Sequence, residues 1–120
     1  MVVTNDGKSG LCLAFIGSMV IPRYCGIGSG SGTVTVNDSS LVAEVGSRVD
    51  FTTRDASIVK QVEWTFDFGA KTMSGINLRE FGLFDNQANG SGTMWCREGF
   101  DTITFDGTNE LQIQITFEVF

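Results

Sequence analysis

From Leu111 to Val119 the chain alternates without a break. Leu111, Ile113, Ile115, Phe117 and Val119 take one side, and Gln112, Gln114, Thr116 and Glu118 the other. Successive strand side chains point to opposite faces, so this pattern predicts a half-buried strand. Val62, Trp64, Phe66 and Phe68, alternating with Glu63, Thr65 and Asp67, predict a second strand with an aromatic inner face. Weaker alternation marks Val45–Thr53 around Val49 and Phe51 and later Phe100–Phe105, Ile76–Asp85 reads as another strand, and Thr93–Cys96 as short and extended. No segment carries a 3.6-residue apolar stripe of ordinary helix length.

The intervening segments read as connections. Arg54–Ser57 predicts a turn, Gly69–Gly75 and Asn86–Gly92 loops, and Asp106-Gly-Thr-Asn109 a hairpin. Ser39 and Ser40 either cap a short helical turn at Ala43–Glu44 or lead into a strand. Leu11–Ile16 and Met19–Tyr24 are short apolar runs that fit buried strands or a short helix, with Pro22 suited to a sheet edge. Gly26–Gly32, with glycine at every second position, reads as a loop, because glycine brings no side chain for a strand to pack. A dinucleotide or phosphate loop needs a following helix or a Gly-Lys-Ser/Thr element, and Thr33-Val-Thr-Val36 supplies neither. The expected fold is all-β: a single-domain antiparallel β-sandwich or small barrel over residues 11–120, with a flexible N-terminal arm, Met1–Gly10, that orders on docking.

Composition narrows the function. Within 120 residues, 42% hydrophobic content including ten Phe supports one real core. The net charge of −6 comes from 14 acidic and 8 scattered basic residues. Nucleic acid and anionic membrane surfaces, which need clustered Lys and Arg, are therefore not expected partners. The apolar run from Leu11 is broken at Gly17–Ser18, so neither a signal peptide nor a membrane span of about 18–20 residues is expected, and synthesis in a cytoplasm is.

The absence of His removes the usual general base and metal ligand. Cys12, Cys25 and Cys96 lack a CxxC spacing and read as reduced thiols. No metal or cofactor site is expected. The carboxylate pairs Asp101 with Asp106, Glu80 with Asp85, and Asp50 with Asp55 sit near strand ends or turns, where acids are normally solvated, and no EF-hand spacing occurs. An enzyme is not expected.

Three segments carry a resemblance. They are Ile21-Pro-Arg-Tyr-Cys-Gly-Ile-Gly-Ser-Gly30, Ser40-Leu-Val-Ala-Glu-Val-Gly-Ser-Arg48 and Ile76-Asn-Leu-Arg-Glu-Phe-Gly-Leu-Phe-Asp85. In this order they resemble small virion proteins of tailed bacteriophages, including the attachment domains at the front of tail-collar and tail-fibre proteins. The similarity spans about residues 19–120. It implies a multi-copy virion component, made in the host cytoplasm, that binds other virion proteins or copies of itself and at a tail tip a host-surface receptor. A capsid decoration protein and a carbohydrate-binding module with Trp64 or Trp95 as sugar platform are the alternatives.

Candidate subunit-interface residues are Arg48, Arg79, Leu83, Phe84, Met94 and Trp95. Leu83 and Phe84 are adjacent, so a regular strand sends them to opposite faces. Either both pack internally or one is an exposed apolar contact.

Overall fold

The computed structural model describes residues 1–17, 21–69 and 75–118. Eight strands and one helix follow in the order β1 (Val2–Val3), α1 (Asn5–Phe15), β2 (Tyr24–Gly28), β3 (Glu44–Asp50), β4 (Thr53–Asp55), β5 (Gln61–Phe68), β6 (Asn77–Phe84), β7 (Met94–Thr104) and β8 (Leu111–Glu118). They form a five-stranded sheet, β1-β7-β6-β2-β3, and a three-stranded sheet, β4-β5-β8. Every paired strand is antiparallel. The result is the sandwich-like all-β fold that the alternation predicts.

The two cleanest alternating segments pair with each other. Trp64 lies opposite Ile115, Phe66 opposite Ile113 and Phe68 opposite Leu111. Their inner faces meet Cys25, Ile27, Leu78, Leu83, Cys96 and Phe105 from the larger sheet and its ends. Phe66, Phe68 and Phe105 are almost fully buried, and each such side chain contributes about 2 kcal/mol of hydrophobic stabilisation.

Four expectations are corrected. Gly26 and Gly28 belong to β2, which lies between β6 and β3 and is no loop. The missing side chains leave room for buried carboxylates, as described below. Asp106–Asn109 does turn the chain, with Asp106 accepting from the Thr108 amide at 2.8 Å and Gly107 at φ 89°. However, β7 and β8 lie in different sheets, so this turn carries the chain across the sandwich and closes no hairpin ladder. Arg54 and Asp55, read as turn, belong to β4, which pairs with β5.

Finally, Met1–Gly10 is not an arm. Val2 and Val3 pair with Arg97 and Cys96 of β7. The Met1 amino group pairs with Glu98, and α1 begins at Asn5 and takes in most of the Leu11–Ile16 run. Met19 and Val20 of the second apolar run, the centre of the Gly69–Gly75 connection, and Val119 and Phe120 lie outside the described residues.

Candidate docking surface

Two features of the larger sheet control what the surface can do. The first is a buried polar network on its outer face. Gly26, Gly28 and Gly30 follow at alternate positions, and a Cβ at Gly28 or Gly30 would lie 2.5–2.6 Å from Glu80 Oε2. At Gly26 the same atom would lie 2.6 Å from Glu44 Oε2. The alternating glycines are thus a mould for two carboxylates.

Glu80 is fully buried and accepts from the Val42 and Ala43 amides at 2.9 Å each, the Gly30 amide at 3.1 Å and Arg97 Nε at 3.1 Å. Arg97 also donates to Asp38 at 2.9 Å, which ties down the loop after β2. The Thr35 amide and its hydroxyl, with Arg97, hold the Asp38 carboxyl below the usual aspartate range.

Arg48 makes a matching network further along. Its Nε and Nη2 donate to the two oxygens of Glu44 at 2.7 and 3.0 Å. Its Nη1 donates to the carbonyls of Asn86 and Ser91, both at 2.8 Å, pinning the β6–β7 connection. The guanidinium lies 3.5 Å from the Phe84 ring centroid, a cation–π contact out of water. Asp85 accepts from Trp95 Nε1 at 3.1 Å and from the Thr93 amide at 2.8 Å.

This geometry places the six residues expected at an interface. Arg48, Leu83, Phe84, Met94 and Trp95 are buried within the chain, and Arg79 is half-buried with Nη1 on the Ser29 carbonyl at 3.1 Å. Leu83 and Phe84 do point to opposite faces. Leu83 enters the sandwich core, while Phe84 joins Leu41 and Met94 in a second cluster beneath Arg48. Of the two readings of this pair, internal packing is the one found. Trp64 and Trp95, at 5% and 3% exposure, offer no sugar platform.

The acids considered for chemistry, apart from the exposed Asp101, are also tied into the framework. Asp50 accepts a bidentate pair of bonds from Arg23 at 2.7 and 2.9 Å, which lowers its pKa. Asp55 and Asp106 hold the turns at Ser57 and Thr108, whose donors lower both pKa values. Burial pushes the Cys25 thiol well up and the Cys96 thiol to about 12. Among the described residues, no group of His, Cys, Asp or Glu side chains is arranged to hold a metal ion.

The second feature is the surface around α1. Thr4 caps this helix, its hydroxyl accepting from the Gly7 amide at 3.0 Å, and its own amide donates to the Trp95 carbonyl at 3.0 Å. Gly7 and Gly10 face β7, where a Cβ on the first would overlap the Trp95 backbone and one on the second would lie 2.7 Å from its indole ring. The glycines therefore form the packing face, and the large apolar side chains are turned outward. Leu13 is 53% exposed, Phe15 82% and Ile16 80%.

Leu11 reaches over a groove floored by Trp64, Trp95, Val62 and Phe117 and flanked by Ile21 and Pro22, with a volume of about 290 Å³. A second lobe of about 400 Å³ shares Leu11, Val62 and Phe117 and runs under Ile58 and Val59. Lys60, at φ 66°, turns the chain there into the left-handed region and lets those two side chains stand out, Val59 at 81% exposure. Arg54 and Lys60 supply a basic rim on a chain of net charge −6.

Sequence reasoning missed the buried Glu80–Arg97 pair and the burial of the Glu44–Arg48 pair, although the period-two glycines were their signal. It also missed the outward face of α1, because three glycines and serines in an eleven-residue segment conceal a helix. A scan of protein-family models and a search of curated proteins return no match to this chain.

Proposed function

We propose that this protein is a structural component of a tailed-bacteriophage virion and that it attaches to a neighbouring subunit through the groove beside α1. The observation that carries the attachment is the inverted helix. A free-standing helix gains stability by burying its large apolar side chains, and here Leu13, Phe15 and Ile16 are exposed while Gly7 and Gly10 are packed. Leu11, Ile21, Ile58 and Val59 line the adjoining groove and are exposed as well, and exposed large apolar side chains gathered in this way mark protein contacts. The basic rim favours a partner that offers apolar side chains flanked by acids.

The virion assignment rests on the sequence resemblance, to which the geometry adds a physical sense. The glycines after Cys25, Glu44 with Arg48, and the Glu80-Phe-Gly-Leu-Phe-Asp85 segment are distant in sequence yet meet in the two buried networks. A pattern of this kind specifies a scaffold, and its surface remains free to fit different neighbours.

Two measurements test the reading. Antibodies to the recombinant chain should label particles of the source phage at the neck, tail or tail tip in electron micrographs. Label over the whole head makes the protein a decoration subunit. Its absence from the particles, by label and by mass spectrometry, overturns the virion assignment. Separately, Leu11→Glu with Phe15→Glu should leave the fold intact by circular dichroism yet lower incorporation into particles by about tenfold or more. Unchanged incorporation overturns the groove as the attachment site.

A further inference from the structure

The four outer edges of the two sheets are not alike. β1 has two residues and β4 three. On β3, the register shifts opposite Cys25 and Ile27, Gly46 sits at φ 64°, and its carbonyl accepts from Asn89 Nδ2 at 2.6 Å. Short length, bulges and side-chain cover are the means by which sheet edges are kept from pairing. β8 has none of them. It runs eight residues in unbroken register with β5, contains no proline, lysine or arginine, and has no strand on its other side among the described residues.

The sandwich is also open along this edge. Phe81, Phe100 and Ile103 of the larger sheet, each half-buried, line a trough of about 260 Å³ with Leu111 and Ile113 of β8. Phe81 and Phe100 stack there with ring centroids 6.1 Å apart.

We infer that a second copy of this chain occupies the edge, β8 pairing antiparallel with β8 of its twin about a twofold axis. The strand is complementary to itself in one register. Centred on Ile115, the pairing sets Ile113 against Phe117 on the core side. On the solvent side it sets Gln114 against Thr116 and Gln112 against Glu118, and no like charges face each other. Centred on Gln114, it would oppose Glu110 to Glu118. Centred on Thr116, it would shorten the ladder. The match merges two three-stranded sheets into one continuous sheet and covers the trough from both sides, the isologous arrangement usual in dimers. This surface is separate from the α1 groove and does not depend on the virion reading.

Sedimentation equilibrium on the recombinant chain across the micromolar range should show a reversible monomer–dimer equilibrium. Gln114→Lys with Thr116→Lys should weaken it by about tenfold or more, since two pairs of like charges then face each other across the axis. Within the chain both positions flank Glu63: Gln114 already donates to it at 2.9 Å, and Thr116 lies opposite it. The variant therefore keeps its fold by circular dichroism. Gln114→Glu with Thr116→Lys places opposite charges in register across the axis, sets the lysine opposite Glu63 within the chain and should retain the dimer. A monomer at every concentration, or a dimer indifferent to the double-lysine variant, overturns the inference. So does a dimer lost in Leu11→Glu with Phe15→Glu but kept in the double-lysine variant, which assigns self-association to the groove.

Discussion

Glu80 shows how much of this protein is decided by single positions. Its carboxylate is fully buried, joins both ends of the β2–β3 connection to β6 through three backbone amides and holds Arg97. Replacing one partner of a buried ion pair leaves the other charge without compensation. Glu80→Gln should therefore cost about 3–5 kcal/mol, read from urea unfolding midpoints at constant m-value. In the sequence Glu80 looked like an exposed strand acid, because hydrophobic alternation reports which face is apolar and says nothing of a polar face that is also covered. Gly26, Gly28 and Gly30 held the missing information, since side chains removed at every second position leave a slot along one face of a strand. Leu83 and Phe84 were legible as residues on opposite faces for the ordinary reason that strands have period two. That both faces are buried depends on Leu41 and Arg48, which arrive from elsewhere in the chain.

At the scale of elements, β5 and β8 were legible because each keeps one apolar and one polar face over eight residues. The helix was not, since its local preferences are poor and its stability comes from the seat on Trp95. That dependence is testable. Gly7→Ala adds a Cβ against the backbone of β7, which cannot yield as a side-chain tip would. Such overpacking costs about 1–3 kcal/mol. The substitution should release α1 while the sandwich stays folded. Hydrogen exchange should accelerate over Asn5–Phe15 and remain slow in β5. Equal acceleration in both would make the helix an inseparable part of the core. The turn at Asp106–Asn109 was read with the right local chemistry and the wrong partners, because a turn motif specifies a reversal and not the sheet that receives the next strand.

For the whole molecule, the distribution of acids sets the response to pH. Asp38, Asp50, Asp55, Asp67 and Asp106 all have folded-state pKa values below the ordinary 3.8. A lowered folded value means that the stabilisation is fully present above the unfolded value and is lost as pH falls through the folded one. With no His in the chain, these groups predict little change in stability from neutral pH down to the carboxylate range and a decline only below about 3.8. Urea unfolding at a series of pH values checks this, and a decline already under way at pH 6 would contradict it. All but the half-buried Asp38 are exposed and contribute little each, and the effect is their sum.

The seat of α1 has a consequence in time. Thr4 and Gly7 are made well before their seat, because the Met94 and Trp95 carbonyls that receive Thr4 lie 90 and 91 residues later. Until β7 is made the segment has nothing to rest on, and its leucines and phenylalanine stand free beside the ribosome. Long-range closures of this kind are slow and leave apolar surface unprotected while they wait. The helix segment is thus made long before it can find its place, and a nascent-chain chaperone would meet it exposed.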